Sequence, residues 1–71
     1  MEPLKISLAA ARVNAGLTQQ EAAKRLGVTR NTIITWESGR RNPGFMEITA
    51  IAHVYGIPVD NIFLPTELAK S

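Results

Sequence analysis

The stretch "TQQEAAKRLGVTRNTIITWESG", residues 18–39, constrains this chain more than any other: it carries two helix-start signals eleven residues apart with one glycine between them. Thr18 has N-cap chemistry and Glu21 follows three residues on, the capping-box spacing in which each side chain satisfies the other residue's free amide. Leu17, just before the cap, is placed to pack on Ala22 as a hydrophobic staple. Thr29 offers the second cap, Gly27 ends the first segment, and Ser38 with Gly39 ends the second. Each segment has only two to three turns, too few to persist alone in water, so packing must hold it. Joined by "LGV", the two helices cannot run antiparallel and should cross steeply. That is helix-turn-helix geometry, in which the second helix enters the major groove of DNA.

The rest of the chain supplies further short elements. A first helix is expected over about residues 5–15, with Leu4, Leu8, Ala11 and Ala15 on one stripe and Gly16 as terminator. "RRNPG", residues 40–44, cannot continue a helix, because Pro43 lacks an amide proton and restricts Asn42. A fourth helix is expected over 45–55, with Ile48, Ile51, Ala52 and Tyr55 at i, i+3, i+4 and i+7 and Gly56 at its end. Pro58 suits the first position of a short fifth helix over about 58–63, which Pro65 stops. No segment alternates with period two over useful length. The expected class is therefore all-α: a compact five-helix domain spanning 1–71, with a core of about 4–64 and a tail of 65–71.

With 71 residues the chain is one domain at most, and it buries only about 60% of its unfolded surface. It contains no cysteine, which fits a reducing cytoplasm and excludes disulfides and thiolate metal sites. The single histidine, His53, projects away from the apolar stripe of the fourth helix and reads as a surface residue. No metal, cofactor, small-molecule ligand or catalytic constellation is expected, so an enzyme is the least favoured class. No apolar run reaches the roughly 18 residues of a membrane span, and "MEPLKISLAA" lacks a signal-peptide pattern. Charge is uneven: Lys24, Arg25, Arg30, Arg40 and Arg41 against Glu21 and Glu37 give residues 21–41 a net +3, whereas residues 42–71 carry −2. The positive end coincides with the tight helix pair, which suits a polyanion, although Lys24 and Arg25 read equally well as solubility charges.

Projecting the third helix at 100° per residue puts Ile33 and Trp36 inward, with Thr29 and Glu37 at the edges. Asn31, Thr35 and Ser38 fall near the opposite pole, and Arg30 and Ile34 lie on one flank. The outward face is small, polar and free of acids. Arg can grip guanine O6 and N7, Asn can pair with adenine, and Thr can bond a base edge or touch a thymine methyl.

The stretch "GLTQQEAAKRLGVTRNTIITWESGRRNP" resembles the Cro and lambda-repressor-like helix-turn-helix domains, the XRE group of bacterial and phage regulators. With "IAHVYGIPVDNIF" the resemblance extends over about residues 4–64. It implies a sequence-specific DNA-binding transcriptional regulator, most simply a small stand-alone repressor on a near-palindromic operator. An antitoxin-type interaction module that also binds DNA is the alternative, disfavoured by the few residues after Leu64. The resemblance implies base contacts from Arg30, Asn31, Thr35 and Ser38. It implies phosphate contacts from Gln19, Thr29, Arg40, Arg41 and Asn42, and a structural ion pair between Arg12 and Glu37.

Ile34 departs from the pattern, where a small or polar residue is more usual; it reads either as a contact to a thymine methyl or a sugar or as an exposed aliphatic. Ala11 and Ala22 replace larger aliphatics, pointing either to a thinner core or to a closer approach of the first two helices. Regulators of this group bind as two-fold dimers with half-sites roughly 34 Å apart. Met46, Ala50 and Val54 form a second apolar row on the fourth helix. The region from the fifth helix through Phe63, Leu64 and Leu68 is the expected homodimer contact, unless Phe63 and Leu64 fold back onto the core.

Overall fold

Ser7 starts the first helix. Its side chain accepts a hydrogen bond from the Ala10 amide at 3.0 Å, and helix α1 spans Leu8–Asn14. The computed structural model describes residues 5–64, and the predicted contributions of Leu4, Pro65 and Leu68 lie outside that range. Residues Ile6–Ser7, expected to be helical, instead form a short strand, β1. Helices α2 (Gln19–Leu26), α3 (Arg30–Ser38) and α4 (Phe45–Tyr55) follow in the expected places.

The chain then departs from expectation. The predicted fifth helix is absent: Pro58 is extended, Val59–Asn61 make one 3-10 turn, and Ile62–Phe63 form strand β2. β2 pairs in parallel with β1, Ile6 opposite Ile62 and Ser7 opposite Phe63. The described part of the fold thus has four α-helices and one minimal strand pair, not five helices. The physical reason lies in both local preference and partners. Asp60 and Asn61 are poor helix formers, Val59, Ile62 and Phe63 suit strands, and a single turn cannot repay helix nucleation. The exposed backbone of β1 gives β2 hydrogen bonds that so short a helix could not supply itself, while Ile62 is buried in the core.

The predicted caps hold. Thr18 accepts from the Glu21 amide at 3.0 Å and Glu21 accepts from the Thr18 amide at 2.8 Å, completing the capping box. These hydrogen bonds from Thr18 lower the Glu21 pKa, and its negative charge faces the positive end of the α2 dipole. Thr29 caps α3 by accepting from the Thr32 amide at 3.1 Å. Gly27 sits between them with φ 70°, a left-handed conformation that L side chains adopt only at a cost, which lets α2 stop and the chain turn into α3.

The core joins all four helices and β2: Leu8 and Ala11 of α1, Leu17, Ala22 and Ala23, Ile33 and Trp36 of α3, four residues of α4, and Ile62. In α4 these are the predicted Ile48, Ile51, Ala52 and Tyr55. Leu17 and Ala22, the staple pair, are both buried. Ala15, expected on the α1 stripe, is instead exposed at the helix end. Burying a large apolar side chain such as Ile33 or Ile51, each 1% exposed, contributes about 1.5–3 kcal/mol. Ile33 and Trp36 therefore fix the rotation of α3 about its own axis. That rotation decides what the helix shows to solvent.

Candidate nucleic-acid interface

The outward face of α3 begins with Arg30 and Asn31, both exposed. One turn later Thr35 is half-buried and donates its hydroxyl proton to the Asn31 carbonyl at 2.9 Å. Ser38 is exposed and donates likewise to the Thr35 carbonyl at 2.9 Å. Both hydroxyls thus bond back to their own helix, and toward a ligand they offer acceptor lone pairs and, for Thr35, a methyl group.

Behind that face runs a chain of hydrogen bonds linking three helices. Arg12 of α1 donates from Nε to Glu37 Oε2 at 2.6 Å and from Nη2 to Glu37 Oε1 at 3.4 Å. Its Nη1 donates to the Leu17 carbonyl at 2.8 Å, tying the α1–α2 loop to the same guanidinium. Gln19 of α2 donates from Nε2 to Glu37 Oε1 at 3.1 Å, and its Oε1 accepts from Arg30 Nη2 at 3.3 Å. A carboxylate on one side and a guanidinium on the other admit only this orientation of the amide. The structure therefore brings Arg12, Glu37, Gln19 and Arg30 into one relay. The expected ion pair is part of it, with the side chains 14% and 10% exposed.

The Glu37 hydrogen bond raises the Arg12 pKa against the opposing effect of partial burial, so this arginine stays charged. Tyr55 of α4 is 6% exposed and feels both charges of the pair. Burial pushes its phenol up to about 12, with the Glu37 charge adding to the shift and Arg12 opposing it. Pairing also matters for the surface: Glu37, the one acid of α3, is neutralised from inside by Arg12, leaving the exposed Arg30 without an acidic neighbour on its helix.

Beyond α3, the chain turns at Gly39, φ 81°, and exposes Arg40 and Arg41. The Arg40 amide donates to Ser38 Oγ at 3.4 Å, holding the turn against the helix end. Asn42 is half-buried and Pro43 buried, so the loop is anchored just past its two cations. Thr29, exposed at the start of α3, has its hydroxyl within 3.0 Å of the Thr32 hydroxyl as well as capping the helix. Lys24 and Arg25 are exposed in the last turn of α2, where cations complement the helix dipole. The family resemblance gives Gln19 a phosphate contact and a bracing role toward the recognition helix; its two internal bonds supply the brace, and their partners depend on the packing of α2 against α3, which no local pattern reports. The electrostatic influence of the pair on Tyr55 depends on the same packing and has no local signal in the sequence.

The helix-turn-helix family matches the chain over residues 8–62. This protein is a member of the XRE-type helix-turn-helix family. Other helix-turn-helix proteins are similar over most of it. An uncharacterised HTH-type transcriptional regulator of Methanothermobacter thermautotrophicus is 44% identical over 57 residues, 79% of this chain and 83% of the relative. One from Archaeoglobus fulgidus is 38% identical over 53 residues, 75% and 76% of the two chains. The cryptic phage CTXphi transcriptional repressor RstR of Vibrio cholerae is 32% identical over 56 residues, 79% of this chain but 50% of RstR. No solved structure gives a significant match. Among the described residues of this helix-turn-helix protein, no helix is long and apolar enough to cross a membrane.

Proposed function

We propose that this helix-turn-helix protein is a sequence-specific double-stranded-DNA-binding transcriptional regulator that represses by occupying its operator. One observation carries the reading: Ile33 and Trp36 hold α3 from inside while the Arg12–Glu37–Gln19–Arg30 relay holds its first outward residue from behind. A side chain positioned before it meets its ligand loses less entropy on binding, which favours selective contacts. Arg30 and Asn31 read base edges, with Thr35 and Ser38 accepting from base amino groups. Arg40 and Arg41 grip phosphates, together with Thr29, Asn42 and the second amide proton of Gln19; this set positions the protein without reading sequence. In this reading repression follows because a bound domain excludes polymerase, and one phage relative is named a transcriptional repressor.

One module of this size contacts about half a turn of duplex, so the proposed binding unit is a homodimer on a near-palindrome, its half-sites roughly 34 Å apart. Phe63 and Leu64 are half-buried, and Leu64 packs against the core, so the inward-folded alternative has support for that residue. More apolar surface lies at the start of α4, where Phe45 is 81% and Met46 78% exposed; Ala50 is exposed and Val54 half-buried. Selection of bound duplexes from random DNA, followed by footprinting and sedimentation of the complex, tests the proposal. An enriched inverted repeat bound by two copies is expected. Failure to enrich any duplex refutes sequence-specific regulation, and a single copy on the selected DNA refutes the dimer.

A further inference from the structure

We propose that Ile34 reads the C5-methyl group of a thymine in the major groove. The inference rests on the reading of α3 as the base-reading helix, and it adds a specificity-determining residue of a different chemistry to that face. Ile34 lies three residues after Asn31 and four from both Arg30 and Ser38, so it stands among the outward side chains at helical spacing. Its neighbour Ile33 is 1% exposed whereas Ile34 is 36% exposed and stands outside the core cluster.

The surrounding polar groups sharpen the argument. With the Thr35 and Ser38 hydroxyl protons directed to backbone carbonyls, donors on this face come from Arg30 and Asn31. A stretch of base edge facing Ile34 therefore meets no polar partner from that residue, and a base offering only donors and acceptors there would lose its water without compensation. Thymine is the one base of unmodified DNA with an apolar group on its major-groove edge. Ile is also stiff: a β-branched side chain in a helix keeps one χ1 rotamer about 90% of the time, so its methyl groups are already placed when the groove arrives.

The test uses the duplex obtained by selection. Each thymine is replaced singly by uracil, which deletes the methyl group and leaves the pairing edge intact. Affinities are measured by fluorescence anisotropy for the wild type, Ile34→Val, and the polar variants Ile34→Ser and Ile34→Gln. Melting curves identify the folded variants, and either polar variant suffices. At one thymine per half-site, uracil should weaken wild-type binding about four-fold, the equivalent of ~0.8 kcal/mol for one methyl-sized group. Ile34→Val should keep that sensitivity and the polar variants should lose it at that thymine alone. A duplex with no uracil-sensitive thymine, or a polar variant as sensitive as wild type, overturns the role of Ile34 while leaving DNA reading in place. A selection that enriches nothing overturns both.

Discussion

Substituting Glu37 by alanine removes a carboxylate that accepts two hydrogen bonds from Arg12 and one from Gln19. Breaking a buried pair from one side costs about 3–5 kcal/mol, because the remaining charge is stranded. Here the Arg12 side chain keeps 14% of its surface in water and still has the Leu17 carbonyl, so the stranded guanidinium is partly solvated. The expected loss is therefore lower, about 2–3 kcal/mol. Total stability of a domain this small is about 3.5–10 kcal/mol. Each kcal/mol moves its melting temperature by about 4–8 °C. Glu37→Ala should thus melt about 10–20 °C below wild type, as read by circular dichroism. A double-mutant cycle with Arg12→Ala separates the pair from its surroundings: the double variant should be little worse than the poorer single one. A Glu37→Ala melting point within about 3 °C of wild type, or strictly additive losses in the cycle, would refute the claim that this relay holds α1, α2 and α3 together.

Other consequences are as direct. Tyr55, the only tyrosine, has its pKa raised to about 12, so the native state holds the phenolic proton more tightly than the unfolded chain. Its contribution is intact below about pH 10 and is lost as pH rises toward 12, about 2–3 kcal/mol in all; tyrosinate absorbance should appear near pH 12 in the native protein and near 10 in urea. Gly27→Ala meets no atom within 4 Å but must adopt φ 70°, so denaturant unfolding should show a loss of about 1 kcal/mol from backbone strain alone. Arg40→Ala and Arg41→Ala should each weaken all duplexes alike and reduce the slope of log affinity against log salt by about one. Asn31→Ala should instead cost about 1–3 kcal/mol on the selected duplex and relax preference at one base pair. Equal losses on selected and random DNA would count against base reading by that residue.

Much of this is legible in the sequence. Thr18 with Glu21, Thr29, and the glycines at 27 and 39 are local signals whose chemistry acts within one turn, and the observed boundaries of α2 and α3 follow from them. The stripe on α4 and the inward pair on α3 are periodic, and periodicity survives folding because burial rewards it. The segment after Pro58 is different. Its residues favour a strand, yet a two-residue strand has no existence without a partner, and that partner lies more than fifty residues earlier at Ile6. Pro58 read as a helix start because nothing local announced Ile6.

The sequence by itself determined where the helices of the tight pair begin and end and which side of α3 turns inward. Tertiary structure decided what those helices do to one another. Only the packing of α2 against α3 placed the Gln19 amide between Glu37 and Arg30, and only the approach of α1 and α4 brought Arg12 onto the Glu37 carboxylate and Tyr55 within reach of its charge. Hydrogen bonds within a turn are set by covalent spacing. Those between helices depend on angles that the whole core fixes together.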